Sequence, residues 1–211
     1  MLFKSREHAA KSLIPFLKKY KDDDAVILAI PKGGLPIGAI IAKHFSFPLD
    51  IVLTKKIGHP TDPEWVVGAI SLEGMVVNKT IKLPEDYIET EAKVIRKNLL
   101  AKYKLYTGNK KPIELKDKTV IIVDDGVASG NTLKATIAML RNKNPKKIVI
   151  AIPVAPPDSA NELKKLVNEF ICLRTPSDFL SVGQFYFDFT DVTEINAVAL
   201  LKNFNEKELS K

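Results

Sequence analysis

Apolar residues along this chain fall into two kinds of run, and the two kinds alternate. AVILAI (25–30), LDIVLT (49–54), TVIIV (119–123), KIVIAIPV (147–154) and EFICLR (169–174) are short and nearly unbroken. That is the pattern of strands covered on both faces. Between them apolar positions return every three or four residues. Ala9, Leu13, Ile14 and Leu17 mark a helix over 5–20, and LPIGAIIAKHF (35–45) marks another. A long helix from Pro84 to Tyr106 carries the stripe Ile88, Ala92, Ile95, Leu99 and Tyr103, with Pro84, Glu85 and Asp86 suited to its first turn. NTLKATIAMLRNK (131–143) is helical, and Pro157 opens a helix through Val167.

Two stretches break the alternation. KKIGHPTDPEW (55–65), with two prolines, a glycine and mixed charge, reads as a mobile loop, and WVVGAISLEGMVVN (65–78) as two short strands about a Glu73–Gly74 turn. The tail DFLSVGQFYFDFTDVTE (178–194) is aromatic-rich and enters a last helix, for which Asp191 and Glu194 form a capping box. Strands separated by helices predict an α/β protein with a mainly parallel, doubly wound, five-stranded sheet. No linker, internal repeat or low-complexity segment divides residues 1–211, so a single domain is expected.

Composition narrows the class. An apolar fraction of 45% over 211 residues supports a substantial core. The single cysteine, Cys172, permits no internal disulfide and suits a reducing cytosol. No apolar run approaches the roughly 18 residues of a membrane span, and MLFKSREHAAK lacks the apolar region of a signal peptide. A cytoplasmic protein with no membrane partner is expected. The net charge of +7 is spread, with concentrations only at Lys110–Lys118 and Lys143–Lys147. No zinc-finger or aromatic RNA-binding signature accompanies it, so nucleic acid is not the expected partner; a small polyanion would use the same field.

The chemistry concentrates in VIIVDDGVASGNT (120–132). In an open α/β sheet, ligands sit beyond the carboxyl ends of the strands, where Asp124 and Asp125 stand. Ala128, Ser129, Gly130, Asn131 and Thr132 then lead into a helix whose free N–H groups favour an anion. The acids cannot hold that anion, but they can accept hydrogen bonds from hydroxyls or face a cation. A phosphorylated sugar offers both ends. The bland alternative is a polar turn and helix cap. IPKGG (30–34) and TKKIG (54–58) follow the first two strands and supply Lys32, Gly33, Gly34, Lys55 and Lys56. There is no GxGxxG or GxxxxGK[ST] loop. His8, His44, His59 and Cys172 lack the spacing of a zinc site, and no nucleophilic triad is apparent.

Hydrophobic run, paired acids and small-residue loop together resemble the phosphoribosyl pyrophosphate motif of type I phosphoribosyltransferases. KKIGHPTDPEWVVGAISLEG placed before it is similar to a bacterial branch of that family. The resemblance spans residues 20 to 200 and implies a type I phosphoribosyltransferase fold with a small β-extension or lid at 58–78 and a C-terminal hood at 175–211. It implies that Asp124 and Asp125 hold the ribose hydroxyls and that residues 128–132 hold the 5′-phosphate. Lys32, Gly33 and Gly34 would form a pyrophosphate loop with a cis peptide, Lys55 and Lys56 would face the same crevice, and Phe185, Tyr186 and Asp188 would belong to the hood. Mg²⁺ would come with phosphoribosyl pyrophosphate, no protein ligand to it being assigned, and homodimers are common in the family. Two positions depart from the pattern. Gly126 stands where a branched apolar residue is usual, and Ala128 where purine-salvage members carry a base-contacting Asp. The expected activity is transfer of a 5-phosphoribosyl group to a nitrogen nucleophile whose identity stays open. The alternatives are a non-catalytic regulatory module of the same fold that binds the donor or a nucleotide, and, more distantly, a phosphohydrolase-like nucleotide-binding domain.

Overall fold

Most of the short apolar runs become strands, and the alternation of their side chains divides the core in two. The computed structural model describes residues 2–209 other than 73, 79 and 109. Helix α1 (Arg6–Leu17) is capped by Ser5, whose Oγ accepts from the His8 N–H, and a short 3₁₀ turn extends it. Then follow β1 (Ala25–Ala29), α2 (Gly34–Phe45), β2 (Leu49–Ile51), β3 (Thr54–His59), β4 (Asp62–Ser71), β5 (Met75–Val77) and α3 (Glu85–Thr107). The second half runs β6 (Thr119–Val123), α4 (Asn131–Arg141), β7 (Lys147–Val154), α5 (Pro157–Lys164), β8 (Glu169–Arg174) and α6 (Glu194–Leu209).

The main sheet has the order β2-β1-β6-β7-β8 and every pairing in it is parallel. Ile27, Ala29, Ile121 and Val123 point to the face that carries Leu13, Ile41, Leu99 and Leu201 from α1, α2, α3 and α6. Their neighbours Val26, Leu28, Val120 and Ile122 point to the other face, beneath Leu133, Ile137 and Leu163 of α4 and α5. Strands buried on both faces therefore read as continuous apolar runs. Among the described residues no helix is long and apolar enough to cross a membrane.

Several expectations are corrected. LDIVLT is not one strand. β2 ends at Ile51, and the Val52 N–H still bonds the Ala29 carbonyl at 3.1 Å. Thr54 then pairs with Ser71 in a second, antiparallel sheet, β3-β4-β5. Val52 and Leu53 are buried in different halves of the core, so hydrophobicity continues across the change of partner. KKIGHPTDPEW is not a loop but most of the β3–β4 hairpin, with shifts of register near Gly58. The two strands expected over 65–78 are present; residue Glu73 of their turn lies outside the described residues. Helix α5 stops at Lys164, and Asn168 bonds Ile148 through both its N–H and its Oδ1. Helix α6 is capped by Thr193, whose Oγ1 accepts from the Asn196 N–H at 3.2 Å, and not by the Asp191–Glu194 box.

Tyr103 shows what periodicity misses. Its ring lies in the apolar stripe of α3, but its hydroxyl donates to Asp50 at 2.9 Å. The Ile51 and Ile113 N–H groups also bond that carboxylate. Burial pushes Asp50 above the usual carboxylate range and these donors pull it back. One buried acid thereby joins β2, α3 and the segment before β6.

Candidate active site

The strand order reverses between β1 and β6, and the loops leaving their carboxyl ends turn to opposite faces of the sheet. Such a switch point opens a crevice. On one side the Ile30 N–H bonds the Val123 carbonyl, and the Pro31–Lys32 peptide is cis. Gly34 opens α2 against that same carbonyl. A Cβ at Gly33 would stand 2.0 Å from Asp125 Oδ2, so only glycine admits the carboxylate there. Lys32 itself is exposed.

On the other side, the loop after β6 is pinned at two points. The Val127 N–H donates to the Val154 carbonyl at 2.9 Å, and Ser159 Oγ donates to the Ala128 carbonyl at 2.6 Å. Gly130 takes φ 70°, a left-handed conformation, and from there α4 begins. Ala128, Ser129, Asn131 and Thr132 are exposed, while Leu133 anchors the helix in the core. The first N–H groups of α4 have no partner within the helix and open on a hollow of 190 Å³. Asp124 lines it together with Ile30 and residues 126–133. This geometry suits an anion over the loop and hydroxyls beside Asp124.

The two acids behave differently. Asp124 Oδ1 accepts from the Asp125 N–H at 2.8 Å. Burial, reinforced by repulsion from Asp125, pushes Asp124 well above the usual carboxylate range. Burial raises Asp125 as well, but Arg6 opposes it: Arg6 Nε donates to Asp125 Oδ2 at 2.8 Å. Arg6 was not legible in the motif. Its partner stands 119 residues away in sequence.

The lysines divide too. Adjacent strand residues point to opposite sides, so Lys55 and Lys56 do not share a crevice. Lys55 lines a hollow of 400 Å³ with Ile30, Pro31, Asn98 and Lys102. Lys56 lines one of 540 Å³ between the β3–β5 sheet and the start of α4, with Asn131 and Lys134. Thr132 borders both, and the hollow at the loop after β6 as well. Asn98 and Lys102 of α3 are additions that sequence spacing does not reveal.

In the tail, Phe185 and Tyr186 are buried, Phe185 against Phe179 and Tyr186 between Phe3 and Phe189. Tyr186 Oη donates to the Asp125 carbonyl at 2.6 Å. Asp188 is exposed, and its Oδ1 accepts from the N–H and hydroxyl of Thr190, which hold it below the usual range. The exposed apolar side chains here are Leu180 and Phe187.

The parallel sheet of order β2-β1-β6-β7-β8, with an acid pair and the exposed start of a helix at its switch point, places the protein among open α/β folds whose ligands bind beyond the carboxyl ends of the strands. The chain belongs to the phosphoribosyl transferase domain family, whose model matches residues 4–190. A Mycobacterium tuberculosis protein, provisionally named as a phosphoribosyl transferase, is 32% identical over 205 residues, which is 95% of this chain and 46% of that protein. The chain thus spans about half the length of the curated relatives it matches. TT1426 from Thermus thermophilus superposes with a TM-score of 0.86 at 31% identity, covering 97% of this chain and 99% of its own. The purine phosphoribosyltransferase from Pyrococcus horikoshii shares the fold, with a TM-score of 0.50, 19% identity and coverage of 89% and 92%.

Proposed function

We propose that the chain transfers a 5-phosphoribosyl group from phosphoribosyl pyrophosphate to a nitrogen nucleophile and releases pyrophosphate. The observation that carries the reading is Asp124 in one hollow with the amide-lined start of α4. The loop of residues 128–132 takes the 5′-phosphate and Asp124 accepts from the ribose. Lys55, with Lys102 and Asn98 across the same hollow, draws the pyrophosphate toward the Pro31–Gly34 loop. As the C1′–O bond to pyrophosphate breaks, C1′ gains cationic character, and fixed charges placed beforehand lower the barrier. The β3–β5 sheet limits access of water, which would otherwise capture that carbon. Leu180, two residues before the Val182 that packs on Gly126, offers apolar cover for an acceptor ring.

Magnesium fits this reading as a companion of the donor. Among the described residues no three His, Cys, Asp or Glu side chains converge as a metal site. The oxygens a hard cation prefers would come chiefly from the pyrophosphate, with Asp124 facing the hollow. Bound there, it would neutralise charge on the leaving group.

Thermal-shift titration with magnesium and phosphoribosyl pyrophosphate, pyrophosphate or ribose 5-phosphate tests the reading. At a hundred times its dissociation constant a ligand stabilises by about 2.7 kcal/mol. The donor should shift the melting temperature most, and Asp124→Asn should abolish most of that shift. Pyrophosphate release with a panel of bases then separates an enzyme from a sensor. No shift at millimolar donor would refute the reading.

A further inference from the structure

Two adjacent carboxylates at the end of a buried strand repel each other, and burial leaves little water to compensate them. The compensating cation comes from the other end of the chain. Arg6 stands in the first turn of α1, and its Nε donates to Asp125 Oδ2 at 2.8 Å. The two side chains are only 11% and 13% exposed. Asp124 is tied to the same unit, because its Oδ1 accepts from the Asp125 N–H. The guanidinium is itself held in place. Nη1 donates to the Thr190 carbonyl at 2.8 Å, and the group lies 4.0 Å over the Phe189 ring. Asp188 fixes Thr190 in turn, accepting from its N–H and its hydroxyl. A planar fork with one nitrogen on a carboxylate and another on a backbone carbonyl sets distance and orientation together.

We infer that Arg6 is a positioning residue of the ribose subsite: held by the tail, its guanidinium orients and compensates Asp125, so that the acid pair stands ready to accept from the ribose hydroxyls. The inference rests on the phosphoribosyl reading above and extends it from Asp124 to the pair. Arg6 engages Oδ2, which leaves Asp125 Oδ1 outside the ion pair. The Asp125 backbone is fixed as well, since Tyr186 Oη donates to its carbonyl at 2.6 Å. An acceptor already held in place loses no rotamer freedom when its ligand arrives. Without Arg6 the adjacent charges would stand uncompensated. One acid would then take a proton or turn away, and either change removes an acceptor from the subsite.

Calorimetric titration in the presence of magnesium, with phosphoribosyl pyrophosphate, ribose 5-phosphate and pyrophosphate in turn, tests the assignment. Arg6→Gln should raise the dissociation constants of the two ribose-bearing ligands about tenfold, the scale of one charge-assisted hydrogen bond. It should leave that of pyrophosphate within about twofold, a split that a general loss of structure would not produce. Arg6→Lys keeps the charge without the fork and should recover part of the loss. Because Arg6 acts through Asp125, adding Arg6→Gln to Asp125→Asn should change donor binding by less than about twofold. Thermal melting checks that each variant folds. Should Arg6→Gln not fold, Arg6→Lys carries the test, with a loss of about threefold confined to the ribose-bearing ligands. The inference is overturned if a folded Arg6 variant binds ribose 5-phosphate as wild type does. It is also overturned if pyrophosphate loses as much, or if Arg6→Gln keeps its full effect beside Asp125→Asn. Wild-type protein that binds neither ribose-bearing ligand would refute the phosphoribosyl reading itself, and this inference with it.

Discussion

At Asp124, stability and the proposed binding role pull in opposite directions. Burial and the adjacent Asp125 carboxylate both disfavour its ionised form. The folded state thus keeps this proton to higher pH than the unfolded chain does. Below the unfolded carboxylate range the group is protonated in both states and contributes nothing adverse. As pH rises, the unfolded chain ionises first and stability is lost. Asp124→Asn removes that penalty and can still accept from the Asp125 N–H. The variant should melt higher than wild type at neutral pH. The gain should shrink toward zero on acidification below the usual carboxylate range, and differential scanning calorimetry across pH measures it. A variant more stable than wild type yet weaker for the donor is the signature of a functional acid. A gain independent of pH would assign the effect to packing.

Among the elements, the loop after β6 carries glycine at position 126, and the packing of the tail accounts for it. A Cβ at that position would meet the Val182 methyls at 2.5 and 2.9 Å and Val154 Cγ1 at 2.9 Å. Val182, from the tail, occupies the volume a branched residue would take. Gly126→Val should therefore cost about 1–3 kcal/mol in urea unfolding, the usual penalty of overpacking. Cutting Val182 to Ala should recover part of it, and a neutral Gly126→Val would show that the tail does not seat there. The β3–β4 hairpin carries the complementary lesson. Lys55 and Lys56 are exposed beside buried Ile57, so the strand has little alternation to display. Pro60 falls at its tip, between His59 and Asp62. Those features look like a loop in sequence because they come from a thin sheet with much of its surface solvated.

Over the whole molecule, protection should follow depth in the sheet. β1, β6 and β7 are flanked on both edges and nearly wholly buried, whereas the extension is a separate three-stranded sheet. Native-state hydrogen exchange should leave β6 and the centre of β7 for global unfolding and release the hairpin near His59 and Asp62 through local opening. Equal protection in both sheets would mean that the extension is part of one cooperative unit. The ties that could enforce this are Thr54 Oγ1 with Thr136 Oγ1 at 2.9 Å and the Tyr87 hydroxyl on the Gly58 carbonyl at 2.8 Å.

What the sequence by itself determined is the set of features encoded over a few neighbouring residues. Strand and helix periods predicted the alternating α/β order, and the run from Val120 to Thr132 placed paired acids and an anion-binding loop where a parallel sheet exposes them. Tertiary structure decided what depends on distant partners. It split LDIVLT between two sheets, separated Lys55 from Lys56, buried Phe185 and Tyr186, and brought Arg6 onto Asp125. Hydrophobicity says that a side chain is covered, but not by what. An acid's neighbours, and hence which of two adjacent carboxylates an arginine from the far end of the chain reaches, exist only once the chain has closed on itself.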